Sequence, residues 1–289
     1  MRSFQIITDS GCDMSKEYLS EKEIDCINLG FTMNNVHYNE EDGEKIDVKE
    51  FYRLLRGGAM PTTYQATSES AKKHMEKWLA EGKDVLALSF SSGLSGTAGS
   101  FFVAQRELKE KYPERKIFVV DTLCASMGQG LLLDFAVKKA DEGSSIEEVA
   151  SFVEELKLHI CHNFTVENLF HLKRGGRVST ATAIVGSILK IKPVMKMSDE
   201  GKLVVMGKVM GRKKSILALV ENMEKTQRLQ KGDEIFISHG DCLEDAEYLK
   251  SLIEQRFPGY AVKIGFVGSV IGSHSGAGTL ALFYRGVHR

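Results

Sequence analysis

The chain has 289 residues, of which 43% are hydrophobic and 27% charged, with a net charge of −1. That length and apolar content are enough to bury the cores of about two domains, while the balanced charge lacks the basic field of a nucleic-acid binder and excludes nucleic acid as an expected partner. Cys12, Cys26, Cys124, Cys161 and Cys242 are dispersed with no Cys-x-x-Cys pair, the pattern of reduced thiols rather than of a disulfide framework.

The apolar stretch before Asp9 is too short for a signal-peptide core, and no apolar run approaches membrane-spanning length, so the expected location is the cytoplasm. Phe4 to Thr8 reads as a strand ending at Asp9-Ser10, followed by a helix near Ser15 to Lys22 and a strand at Ile24 to Phe31. Asp47 has the position of an acidic cap for a helix running through Phe51, Leu54 and Leu55 to Gly57-Gly58. The segment Met60 to Ala66 is expected to be a polar loop, because Pro61 disfavours helix at Met60. A helix over Ser68 to Ala80 follows.

The most informative stretch is Leu88 to Thr97, LSFSSGLSGT, between an apolar strand at Asp84 to Phe90 and a helix at Thr97 to Tyr112. The first amides of such a helix have no intrahelical partner and point, with the positive end of its dipole, into the loop. Gly93 and Gly96 permit close backbone approach, and Ser91, Ser92, Ser95 and Thr97 supply hydroxyls, so the stretch suits a phosphate or carboxylate. An ordinary Ser/Thr-rich helix cap reads the same way. Further along come a strand at Lys116 to Val120 ending in Asp121-Thr122, a helix near Ser126 to Ala140, and a Ser145/Glu148 capping box opening a helix to about His159.

This β/α alternation implies right-handed crossovers onto a mainly parallel sheet, with Asp9-Ser10, Ser91 to Thr97 and Asp121-Thr122 together at the carboxyl ends of its strands. From about Cys161 the pattern changes to a hairpin, Lys192 to Met197 and Lys202 to Met206 around a Ser198 to Gly201 turn. Helices at Lys213 to Arg228 and Leu243 to Arg256 and strands at Glu234 to Ser238, Ala261 to Val267 and Thr279 to Tyr284 complete it. The expected fold is therefore α/β in two domains, residues 1–160 with a mainly parallel sheet and 161–289 with a mixed, partly antiparallel one.

Several motifs fail their own tests. Gly93-Leu94-Ser95-Gly96-Thr97 lacks the second glycine of a nucleophile elbow where it is required. Gly276-Ala277-Gly278-Thr279-Leu280-Ala281 is followed by too short a segment to complete a dinucleotide-binding unit, and no Walker lysine follows the serine loop. His159, Cys161 and His162 have no second ligand pair at metal spacing, so no metal and no cofactor is expected. A serine esterase or acyl transferase using Ser92 or Ser95 with His274 is the alternative from another class, and no neighbouring acid suggests how its histidine would be oriented.

Seven collinear segments resemble the DegV family, bacterial fatty-acid-binding proteins that serve as the FakB subunit of fatty acid kinase. They are Ile7-Thr8-Asp9-Ser10, Pro61 to Gln65, Ser91 to Thr97, Val120-Asp121-Thr122, Leu172 to Ser179, Ile191-Lys192-Pro193 and Gly272 to Gly278. The resemblance implies a carrier with no catalytic residue of its own. It would bind one long-chain fatty acid between the two domains and present the carboxylate to a separate ATP-dependent kinase subunit, which makes acyl phosphate for phospholipid synthesis. It implies Thr63 and Ser95 as carboxylate ligands, with Ser92 and His274 at the same anion and Thr62, Tyr64, Gly96 and Ser275 as head-group neighbours. Hydrogen bonds to a charged group contribute roughly 1.5 to 3 kcal/mol each. Tyr64 and Ser275 depart from the family's usual residues, and Tyr64 narrows the head-group region or adds a phenol donor. Ile184, Val185, Ile188 and Leu189, at helical spacing after the Gly175-Gly176 turn, would line the acyl tunnel, half or more of them serving plain core packing. Arg174, Arg177 and Arg212 would dock the kinase, and transient contact with a membrane is compatible with such a role.

Overall fold

The structure is a computed structural model in which residues 2–39, 41–179 and 190–289 are described. The four tunnel candidates Ile184, Val185, Ile188 and Leu189 lie outside the described residues.

The elements in chain order are β1 (Phe4–Asp9), α1 (Lys16–Glu21), β2 (Asp25–Ile27), β3 (Gly30–Met33), β4 (Val36–Tyr38), α2 (Val48–Arg56), β5 (Thr62–Tyr64), α3 (Ser68–Ala80), β6 (Asp84–Ser89), α4 (Thr97–Lys111), β7 (Ile117–Asp121), α5 (Met127–Asp141) and α6 (Ile146–Leu156). They continue with β8 (Ile160–Thr165), α7 (Phe170–Arg174), β9 (Ile191–Met197), β10 (Leu203–Met210), α8 (Arg212–Thr226), β11 (Glu234–His239), α9 (Leu243–Arg256), β12 (Ala261–Phe266), α10 (Ser269–Ser275) and β13 (Leu280–Arg285).

The first half holds a four-stranded parallel sheet of order β2-β1-β6-β7. The second holds a six-stranded mixed sheet of order β10-β9-β8-β13-β11-β12, antiparallel except for β11 with β12. The two-domain α/β expectation is therefore met. Alternation along β1 shows how the layers form: Ile7 packs with Ala71, Met75, Phe101 and Leu108 of α3 and α4, while Ile6 faces Leu131 and Leu132 of α5. The same α5 cluster contains Phe236 and Phe283 of the mixed sheet. A helix packed between two sheets is apolar nearly all round, and Met127 to Val137 of α5 are indeed all buried. Helices α8 and α9 cover the outer face of the mixed sheet through Leu219, Met223, Leu249 and Ile253.

Two local expectations are corrected, and two further elements lie where no element was expected. The strand expected over Ile24 to Phe31 is two, β2 in the parallel sheet and β3 in a separate antiparallel sheet of order β4-β3-β5. The polar loop Met60 to Ala66 contains β5, whose Thr63 pairs with Phe31; three paired residues are too short a strand for periodicity to reveal. The segment ICHNFT is the interior strand β8, whose polar residues hid it. His162 and Asn163 are buried there with partners, Asn163 Nδ2 donating to the Tyr284 hydroxyl. The glycine-rich segment around His274 contains the helix α10.

Two carboxyl groups at the inner end of the parallel sheet carry a pH signature. Burial pushes Asp9 up to about 6 and Asp13 to about 7, against hydrogen bonds from Phe90, Gly11 and Ser126 that pull the other way. The fold binds their protons more tightly than the unfolded chain, where such groups ionise near 3.8. Their stabilising contribution is thus complete below that value and lost as pH rises through 6 and 7. Denaturant midpoints should fall over that window, and Asp13→Asn, which keeps an acceptor and a donor in place, should flatten the upper part of the fall; a variant whose midpoints track the parent's would contradict the assignment.

Candidate functional site

The serine loop sits at the carboxyl end of β6, and its backbone is held from both neighbouring strands. Asp9 on β1 accepts the Phe90 N–H at 2.7 Å and the Gly11 N–H at 3.0 Å. Asp121 on β7 accepts the Ser92 and Leu123 N–H groups, both at 3.1 Å. Thr8 and Thr122 add hydroxyl bonds to the Leu88 and Ser89 carbonyls. From the other half, the hairpin turn lies on the loop, and Ser91 Oγ donates to the Gly201 carbonyl at 2.8 Å. Gly93 is required for this approach, since a Cβ there would collide with the Glu200 and Gly201 carbonyl oxygens.

A cavity of about 350 Å3 opens beneath this loop, between the two sheets. Most of its described wall is apolar, including Leu29, Phe90, Leu94, Phe164, Met197 and Phe283. Polar groups converge at one end: Thr63 from β5, Ser95 and Gly96 from the serine loop, Arg177, and His274 and Ser275 from α10. Thr63 Oγ1 and His274 Nε2 share a hydrogen bond of 2.7 Å. Ser95 Oγ shares one of 3.0 Å with Thr97 Oγ1 and accepts the Thr97 N–H at 3.3 Å. Helix α4 begins just after Gly96, which lines the same end of the cavity, so the positive end of its dipole lies there. The Ser275 hydroxyl is buried there with no hydrogen-bond partner among the described residues.

Burial, reinforced by the Arg177 and Arg174 guanidiniums, lowers His274 to about 4. Its ring is therefore neutral near pH 7, and its Nδ1 is buried without a partner among the described residues. Gly175 allows this placement, because a Cβ there would strike Nδ1. With the proton on Nε2, the imidazole donates to Thr63 and leaves the threonine O–H free for a ligand. Arg177 donates from Nε to the Leu94 carbonyl at 3.0 Å and from Nη1 to Gly175. Desolvation lowers its pKa, and among the described residues no carboxylate pairs with it. A half-buried cation in a cavity wall without a counter-charge favours an anionic ligand.

The structure thus gathers Thr63, Ser95, Gly96, Tyr64, His274 and Ser275 in one wall, together with Arg177. It leaves out Ser92 and Thr62, whose side chains are exposed and outside the cavity wall. Ser92 contributes its backbone amide to Asp121 instead. Tyr64 lines the cavity with its ring, while its hydroxyl donates to the Tyr38 carbonyl at 3.0 Å and bonds His37 Nε2 at 2.8 Å, so no phenol donor reaches the anion end. Arg174 bridges the Pro61 and Ser273 carbonyls, each at 3.1 Å, and so ties β5 to α10. Arg212 pairs with Asp245 at 2.8 Å on the outer helices, away from the cavity. Sequence reading placed Arg177 with docking residues; its position after two glycines gave no signal that it turns inward. The esterase arrangement is not formed, since His274 Nε2 engages Thr63 and no acid orients Nδ1 among the described residues.

The sequence pattern of the DegV family, described as an uncharacterised protein family, matches residues 3–286. The chain belongs to the DegV family. A DegV domain-containing protein of Clostridium perfringens is 43% identical over 286 residues, which is 99% of this chain and 98% of that one. Among solved structures, a DegV lipid-binding protein from Thermotoga maritima is 29% identical with a TM-score of 0.83, covering 100% of both chains. A DegV family protein from Thermus thermophilus, described for its fatty-acid binding, is 28% identical with a TM-score of 0.85, covering 99% of this chain and 100% of that one. Among the described residues, no group of three or more His, Cys, Asp or Glu side chains is placed to hold a metal ion, and no helix is long and apolar enough to cross a membrane.

The neutral state of His274 is directly measurable. Its ring resonances, assigned by loss in His274→Gln, should titrate with a midpoint about 4 in ligand-free protein; a midpoint at the ordinary 6.5 would show that the ring is not desolvated as described.

Proposed function

We propose that this DegV protein binds one long-chain fatty acid in the cavity and presents the carboxylate to a separate ATP-dependent kinase subunit for acyl phosphate formation. The observation that carries the reading is the polarity of the cavity: an apolar wall with, at one end, hydroxyl donors, a helix N-terminus and the Arg177 guanidinium, which pairs with no carboxylate among the described residues. An amphiphile with one anionic end matches it, and the volume falls within the usual range for small-molecule sites. In this reading the Thr63 and Ser95 hydroxyls and Arg177 bind the carboxylate, with His274 holding Thr63 in orientation and Ser275 supplying a further hydroxyl. Gln65 and Gly96 at this end are exposed, which suits a carboxylate offered to another protein. The tail runs into the apolar interior, along Leu94, Phe164, Met197 and Phe283. Residues 1–160 supply most of the carboxylate-binding loops and residues 161–289 close over the acyl chain. The carrier itself does no bond chemistry and works in the cytoplasm.

Protein purified from a bacterial host should release long-chain fatty acid on solvent extraction, read by mass spectrometry; well-folded protein without any acyl chain would count against the reading. Thr63→Val, Ser95→Ala and Arg177→Met should each weaken fatty-acid binding by about tenfold or more, from the loss of one charge-assisted hydrogen bond. Unchanged displacement of a fluorescent fatty acid in all three would refute the head-group assignment. Arg212→Ala, remote from the cavity, should leave that affinity intact and slow kinase-dependent acyl phosphate formation if Arg212 docks the kinase; an unchanged rate removes Arg212 from the docking surface.

A further inference from the structure

The mouth of the cavity at its polar end is framed by two exposed residues, Gln65 and Gly96, which also line the cavity. Gln65 lies two residues beyond Thr63 at the end of β5, so the alternation of an extended chain turns both side chains to the same side. The Gln65 side-chain amide rests on the Cα of Gly96, where α4 begins. A Cβ on Gly96 would come within 2.2 Å of Gln65 Oε1 and 2.9 Å of Nε2, and its three nearest neighbours would all be atoms of that amide. The glycine is not needed for its backbone, since φ −75° and ψ 2° are open to residues with side chains. What it provides is room for the Gln65 amide, next in the chain to Ser95.

That amide is held loosely. Among the described residues its one hydrogen bond runs from Nε2 to the Ser100 hydroxyl at 3.4 Å, close to the limit for such a bond, and its Oε1 accepts none. The neighbouring polar side chains are held more tightly, Thr63 to His274 at 2.7 Å and Ser95 to Thr97 at 3.0 Å. Hydrogen bonds to an ionised acceptor are shorter and roughly twice as strong as those between neutral groups. A carboxylate at the Thr63 and Ser95 hydroxyls therefore outcompetes Ser100 for this amide. Gln65 is exposed, so its side-chain torsions can carry Nε2 to that anion with no movement of the backbone.

We propose that Gln65 is a further head-group residue: when the ligand binds, its Nε2 leaves Ser100 for the carboxylate oxygen nearest the mouth, and the side chain covers that oxygen against solvent. The proposal rests on the fatty-acid reading above and adds a donor on the solvent side of the carboxylate. The test measures the affinity for a fluorescent fatty acid and the rate of its release to phosphatidylcholine vesicles. Gln65→Ala should weaken binding and speed release by about tenfold, the effect of one hydrogen bond to a charged group. Gln65→Glu keeps the shape but sets a like charge beside the carboxylate, so it should weaken binding well beyond Gln65→Ala, with the excess shrinking at high salt. Gly96→Ala fills the place of the amide and should reproduce Gln65→Ala, and the double variant should bind no more weakly than either single one. Denaturant midpoints matching the parent's report that the variants are folded. Parent-like release from Gln65→Ala, a Gln65→Glu that binds as well as Gln65→Ala, or losses that add in the double variant overturn this proposal while leaving fatty-acid binding standing. A parent protein that takes up no fatty acid overturns the fatty-acid reading itself.

Discussion

The arrangement depends on two carboxylates, Asp9 and Asp121, bonding the backbone of the loop between them. A serine-rich loop with two glycines has high conformational freedom in the unfolded chain. Two of its backbone N–H groups, Phe90 and Ser92, are fixed by carboxylates on β1 and β7, each of which also holds an N–H of its own segment, and Ser95 and the start of α4 are left turned toward the cavity. Parallel strands put these groups at one end of the sheet, so the polar end of the cavity follows from topology as well as from composition.

The second half of the chain completes the site by contact with that loop. The turn bearing Gly201 packs on Ser91, α10 brings His274 to Thr63, and the turn after α7 brings Arg177 beneath Leu94. Arg174 fastens β5 to α10 from outside. Helix α5, buried between the sheets, fixes the spacing of the halves and so the width of the cavity. The residue before it, Ser126, bonds Ser238 of the second half at 3.1 Å.

Electrostatics at the polar end of the cavity follow from burial. The imidazole of His274 loses its charge because two guanidiniums and desolvation oppose it, whereas Arg177 keeps its charge because guanidinium pKa values start so high. The cation at the polar end of the cavity is therefore the arginine, and the histidine is a neutral ring bonded to Thr63.

The sequence alone determined the α/β alternation, the parallel first sheet, the capping of α2 and α6, and the gathering of Asp9, the serine loop and Asp121 at one sheet end. These follow from periodicity, cap chemistry and the handedness of crossovers, all local or nearly local properties. The resemblance to the DegV family also pointed to Thr63, Ser95 and His274, of which Thr63 and His274 prove to be in contact. Tertiary structure alone decided which way each side chain turns. Ser92 points to solvent while Ser95 faces the cavity three residues later, and the Tyr64 hydroxyl is taken by β4. Arg177 turns inward while Arg174 makes its bonds outside the cavity wall. Strand β8 escaped notice because its buried His162 and Asn163 are polar, and their partners come from residues far away in the chain. Side-chain direction in loops and short strands is set by such distant partners, and one-dimensional spacing holds no record of them.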